Sequence, residues 1–176
     1  VSGSDSPALV VLAGLPGVGK TTIARALAPR LRAAVMRVDA IEAAVVRHGL
    51  ESHPVGPVGY AIAHELAAEC LRARTSVIVD AVNPVAAARA GWRDLAAATG
   101  ARLTRVEVVL ADGAEHRRRV TARVSDVDGL VVPRWDEVVA SGYEPWDEQR
   151  DGVRLVVDGA SCDAAVSAIL SALADV

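Results

Sequence analysis

The segment Gly14-Leu15-Pro16-Gly17-Val18-Gly19-Lys20-Thr21 fits the pattern GxxxxGK[ST], and no other stretch of the chain restricts the fold as much. The pattern carries meaning only between a strand and a helix. Both are expected here. Ala8 to Ala13 is an unbroken apolar run suited to a strand buried on both faces, and Ile23, Ala24, Leu27, Ala28 and Leu31 recur at helical spacing. The glycines let successive backbone N–H groups turn inward on phosphate oxygens, and the start of the following helix adds its positive end. Lys20 is the only lysine among 19 basic residues, and it stands where a compact ammonium serves better than a wide guanidinium. A plain glycine turn leaves that placement unexplained.

Gly14, Pro16, Gly17, Val18, Gly19, Lys20, Thr21 and Thr22 are therefore the expected nucleotide cradle. Lys20 would reach the β and γ phosphates from a solvent-facing loop, and the Thr21 hydroxyl would ligate Mg²⁺. The same alternation continues downstream. Strands are predicted at Ala34 to Val38, Ser76 to Val79, Leu103 to Leu110 and Val153 to Val157, each followed by a helical stretch. This argues for an α/β fold with a parallel sheet. Asn83 with Pro84 reads as an N-cap and first-turn proline, and Thr99-Gly100 as a helix end. Two segments break the rhythm: His48 to Gly59, ahead of a helix over Tyr60 to Arg74, and Ser125 to Pro133, ahead of Trp135 to Tyr143. Both read as substrate or lid loops. Residues 1–7 are expected to be a loose, disordered terminus and 8–176 a single domain with its lid at about 112–146.

Of the 176 residues, 52% are apolar and 23% charged, with a net charge of -3, which excludes both a disordered acidic tail and a nucleic-acid-coating basic protein. No apolar run approaches the roughly 18 residues of a membrane helix. Cys70 and Cys162 form no CxxC pair, so neither a disulfide framework nor a zinc site is expected, and a reducing cytoplasm fits. His48, His53 and His64 show no metal spacing. Trp92, Trp135, Tyr143 and Trp146 read as packing residues.

Several polar residues should gather at the C-terminal edge of the sheet, where open α/β folds bind ligands. Asp80 ends the strand Val77-Ile78-Val79 and either orients Mg²⁺ through its water shell or caps a turn. Asn83 caps a helix or touches substrate. Asp39, after the second strand, either deprotonates an acceptor hydroxyl or opens a helix through the capping box Asp39-Ala40-Ile41-Glu42. Arg119 and Arg123 lie four apart on the run that begins at Glu115, and form either a solvated face or a lid that closes over the transferring phosphate. Arg117 and Arg118 should point elsewhere.

With the loop, both aspartates and the lid arginines in place, the chain resembles the small P-loop kinases grouped with the polynucleotide 5′-kinases, chloramphenicol phosphotransferase and the zeta toxins. The likeness runs from about Leu9 to Leu173. It is carried by Gly14 to Thr22, Arg37-Val38-Asp39, Val77 to Pro84 with Arg89 downstream, and Arg119 with Arg123 ahead of Val132-Pro133. It implies a P-loop NTPase three-layer sandwich with sheet order 2-3-1-4-5 and the loop Asp158 to Ser161 near adenine. Asp39 would be the general base, Asp80 part of the metal and phosphate network, and Lys20, Arg119 and Arg123 catalytic. Substrate contacts are expected from Asp39, Glu42, Tyr60, Asn83 and Arg89. Where polynucleotide kinases place an arginine three residues after the base, this chain has Glu42, which would repel a nucleic-acid phosphate. The expected activity is transfer of phosphate from ATP, with Mg²⁺, to a hydroxyl of a small molecule. A polynucleotide 5′-hydroxyl kinase and a non-kinase ATP-binding switch are the alternatives, and the oligomeric state is open.

Overall fold

The computed structural model describes residues 6–52 and 54–174, so most of the expected loose terminus and His53 lie outside the described residues. Strands β1 (Ala8–Ala13), β2 (Ala34–Arg37), β3 (Val77–Asp80), β4 (Arg102–Val109) and β5 (Leu155–Asp158) form one parallel sheet in the order β2-β3-β1-β4-β5. All six residues of β1 are buried, as its apolar run demands of the central strand. Its side chains alternate between two cores. Val10 and Leu12 pack with Ile23 and Leu27 of α1 (Lys20–Leu31) and Ile169 of α8 (Cys162–Ala174). Leu9 and Val11 face Ala63, Ala67 and Leu71 of α3 (Val58–Arg72) and Trp92 of α4 (Ala86–Thr99). The result is a helix–sheet–helix sandwich. Ala63 and Ala67, four apart, bring α3 close to the sheet, and in a chain without phenylalanine Trp92 fills the largest space on that face.

The parallel register places Arg37 beside Asp80 and Asp80 beside Leu12, so the ends of β2, β3 and β1 open side by side onto the phosphate loop. Gly100, at φ +67°, ends α4 as expected. Two other boundary readings are corrected. First, α2 (Val38–Arg47) follows β2 without a break, with Arg37 as its cap residue, so Asp39 lies inside the first turn and makes no capping bond. Second, α4 starts at Ala86 with Val85 as cap residue, and Asn83 takes φ +51° because its side chain is claimed by the core. The Glu144 carboxylate accepts from the Ala86 N–H and does the capping instead. After α5 (Gly113–Ala122) the chain is irregular up to the short α6 (Trp135–Val139), then runs through α7 (Glu148–Asp151) into β5. Among the described residues, no helix is long and apolar enough to cross a membrane.

Candidate active site

A cleft of about 870 Å³ opens at the C-terminal edge of the sheet, between the phosphate loop, the first turn of α2 and the segment that follows α5. The loop starts where the Gly14 N–H donates to the Val82 carbonyl at 3.1 Å. Only glycine fits at position 14: φ is +136°, and a Cβ would stand 2.3 Å from the Val108 carbonyl oxygen. Lys20 is buried, against the expectation of a solvent-facing loop. Its Nζ donates to the carbonyls of Gly14 (2.7 Å) and Leu15 (2.9 Å). Burial lowers its pKa to about 8, opposed by Asp80 and Asp39 and aided by Arg123.

Thr21 and Asp80, each expected at the Mg²⁺ site, are in direct contact: Thr21 Oγ1 donates to Asp80 Oδ2 at 2.6 Å. Two hard oxygen donors side by side at the foot of a glycine cradle suit Mg²⁺. Asp80 is buried, and Arg37 Nε lies 3.8 Å from its Oδ2.

Across the cleft, Asp39 is held by two arginines. Arg37 grips both of its oxygens (3.3 and 3.1 Å), and Arg123 Nη2 donates to Oδ2 at 3.4 Å. Arg37 also donates to both oxygens of Asp126 (3.1 and 2.9 Å), and Arg25 of α1 pairs with that same carboxylate. These two arginines hold the Asp126 pKa down at about 2. Asp126 therefore ties the segment after α5 to α1 and to the end of β2. Arg119 lines the cleft, donating to Glu115 (2.7 Å) and to the Gly159 carbonyl (2.9 Å). Arg118 lines it too, contrary to the reading that it points elsewhere.

The expected substrate contacts divide. Asp39 and Glu42 line the cleft; burial, and then the neighbouring Asp39, raise the Glu42 pKa. Asn83 does not reach the cleft. It is fully buried, its Nδ2 donating to the Leu12 carbonyl (3.0 Å) and its Oδ1 accepting from Trp92 Nε1 (2.8 Å). The Tyr60 hydroxyl accepts from the Asn83 N–H at 2.9 Å, and burial pushes its pKa up to about 12. Tyr60 thus braces the wall from behind. Arg89 is also structural. Buried on α4, it lies 3.2 Å from Asp151, donates to the Glu144 carbonyl (3.0 Å) and sits 5.1 Å from the Trp146 ring centroid.

Three residues without a role in the sequence reading are central here: Arg37, Asp126 and His116, whose Nε2 lies 2.7 Å from the Pro16 carbonyl. For His116 a signal existed in its place four residues before the apolar Val120, on one helix face, and both prove to be buried. For Arg37 the signal was its place at a strand end two residues before Asp39. Asp126, on an irregular segment, gave none.

The AAA_33 family model, described as an AAA domain, matches residues 9–139. No curated protein matches the chain. Among solved structures, a candidate kinase from Chloroflexus aurantiacus J-10-fl is similar at 22% identity and TM-score 0.74, covering 94% of this chain and 98% of that one. A gluconokinase from Sinorhizobium meliloti 1021 is similar at 21% identity and TM-score 0.63, with 96% and 93% covered. Chaetomium thermophilum Kti12, solved in complex with ADP-AlF3, is similar at 20% identity and TM-score 0.67, with 94% and 98% covered.

Proposed function

The chain belongs to the AAA_33 family, and on that footing we propose that it is an ATP- and Mg²⁺-dependent phosphotransferase whose acceptor is a hydroxyl group on a small molecule. One observation carries this reading: the Lys20 loop, the Thr21–Asp80 hydrogen bond and the Asp39 carboxylate converge on one cleft. The likeness to a gluconokinase agrees with a small acceptor.

In this reading the loop N–H groups and the Lys20 ammonium hold the β and γ phosphates of ATP. Mg²⁺, held by Thr21 and Asp80, would offset the charge on those phosphate oxygens. Asp39 orients the acceptor hydroxyl and takes its proton as the acceptor oxygen bonds to the γ-phosphorus, while the bond to the β–γ bridging oxygen breaks and ADP leaves. Arg123 moves from Asp39 onto the transferring phosphoryl group, which both frees Oδ2 and supplies positive charge in the transition state. Arg119 stays beside the Gly159 carbonyl, on the loop expected near adenine. Glu42 on the acceptor side disfavours a nucleic-acid phosphate, and two free thiols, Cys70 and Cys162, suit a reducing cytoplasm.

The double grip of Arg37 and Arg123 on Asp39 favours a second reading, in which that carboxylate serves only to hold the lid and the protein is an ATP-binding switch. An ADP-release screen against alcohols, nucleosides, sugars and aminoglycosides separates the two. A phosphotransferase releases ADP in step with one acceptor and loses that response in Asp39→Asn. Slow, acceptor-independent release that Asp39→Asn leaves unchanged supports the switch.

A further inference from the structure

In a planar trans peptide the C=O and the next N–H point in opposite directions, so a loop N–H aimed at an anion requires the preceding carbonyl to face away and find its own donor. In the phosphate loop the Gly14 and Leu15 carbonyls are met by Lys20 Nζ, and that of Gly19 by the Ile23 N–H at 3.1 Å. The Pro16 carbonyl is met from a different part of the chain, by His116 on α5. A carbonyl only accepts, so His116 Nε2 carries the proton.

His116 is itself fixed. It is 6% exposed, and its ring meets that of Trp135 edge-on, with centroids 5.1 Å apart. One turn further, Val120 occupies the space beside Gly17, where φ is +87° and a Cβ would come within 2.6 Å of Val120 Cγ2. Glycine at 17 lets the loop bend, and the same freedom lets the Pro16–Gly17 peptide rotate unless something holds it.

We propose that His116 is a positioning residue for the phosphate loop: its Nε2–H holds the Pro16 carbonyl outward and thereby keeps the Gly17 N–H aimed at a phosphate of the bound nucleotide. The proposal rests on the nucleotide-binding part of the reading above and is independent of which acceptor the protein uses. It also makes the root of the lid part of the phosphate site, since α5 carries both His116 and Arg119.

The test compares His116→Phe, which keeps a ring against Trp135 without the donor, with His116→Gln, whose amide nitrogen can reach where Nε2 stood, and His116→Asn, which is polar but too short. Affinity for ADP with Mg²⁺ is measured by titration calorimetry, alongside nucleotide-free thermal melts. His116→Phe and His116→Asn are expected to bind ADP roughly five- to tenfold more weakly, a size typical of one lost hydrogen bond, and His116→Gln to recover most of the affinity. Parental affinity in both Phe and Asn variants overturns the proposal. So does equal weakening in Gln and Asn variants that melt like the parent. If His116→Phe fails to fold, the Gln-against-Asn comparison decides alone. A parent that binds no ADP overturns the wider nucleotide reading, and this proposal with it.

Discussion

On the phosphate side of the cleft the polar side chains bond largely to backbone: Lys20 to the Gly14 and Leu15 carbonyls and His116 to that of Pro16. On the lid side charged side chains meet one another: Arg37 with Asp39 and Asp126, Arg123 with Asp39, and Arg25 with Asp126. Backbone partners are held by the fold and cannot swing away. Partly exposed ion pairs are worth roughly 0–1 kcal/mol each and can exchange when a better partner arrives. In the proposed mechanism a polyphosphate is such a partner for Arg123. The phosphate wall is thus preformed and should govern nucleotide affinity, whereas the lid wall, if it re-pairs as proposed, should govern rate.

Lys20→Ala breaks this division most severely, because it removes the ammonium from the phosphates and also strips two carbonyls of their donor. Turnover should fall at least ~10²-fold, and the melting temperature should fall too; ADP release and thermal melts check both. Parental turnover would remove the phosphate reading. Asp39→Asn, on the opposite wall, should leave ATP affinity and melting temperature near the parent's while acceptor phosphorylation drops at least ~10-fold, a modest effect for a base because the acceptor loses its proton late. Reduced ATP affinity there would mean that the walls are not separable.

The Lys20 ammonium also gives the phosphate wall a pH signature. Its pKa in the free protein is about 8, so phosphate affinity should be flat below that pH and weaken by up to about tenfold per unit above it. ADP titrations between pH 7 and 9.5 check this, and a flat profile contradicts it. Arg123→Ala should reduce the catalytic rate several-fold with little change in nucleotide affinity, and Arg119→Ala less so, in steady-state kinetics with ATP varied. The smallest effect belongs to Asp126. Its pKa is depressed to about 2, from a value near 4 in the unfolded chain, so its pairing adds stability above pH ~4 that is lost as pH falls toward 2. The melting temperature of Asp126→Asn should therefore lie slightly below the parent's at neutral pH, and the gap should close between pH 4 and 2. A gap that stays constant would assign those ion pairs no role.

The same division decides what the sequence revealed. The loop, the buried β1 and the places of Thr21 and Asp80 follow from local pattern, because a strand apolar throughout must be covered on both faces and the glycines must turn where they stand, whereas the strand order came only from the family resemblance. Asn83 misleads because Asn-Pro signals a helix start, yet the Leu12 carbonyl and the Trp92 indole claim its side chain. The pattern Asp39 to Glu42 misleads because β2 passes straight into α2, leaving Arg37 at the cap position. Arg89 sits on the helix where it was sought, but its partners Glu144 and Asp151 lie on a later segment. Asp126 and His116 are hard to read locally because the partners that give them a role lie 89 to 101 residues away, and the same distance hides the tie of Arg37 to Asp126, though not its grip on Asp39.

Lys20 is the only lysine in the sequence and the first residue of α1. A lysine-specific endoproteinase therefore has one bond to cut, Lys20–Thr21, and it can reach that bond only when the start of α1 unwinds. The cleavage rate becomes a one-site clock for local opening of the phosphate loop, read as a single pair of fragments and slowed by whatever ligand holds the loop shut.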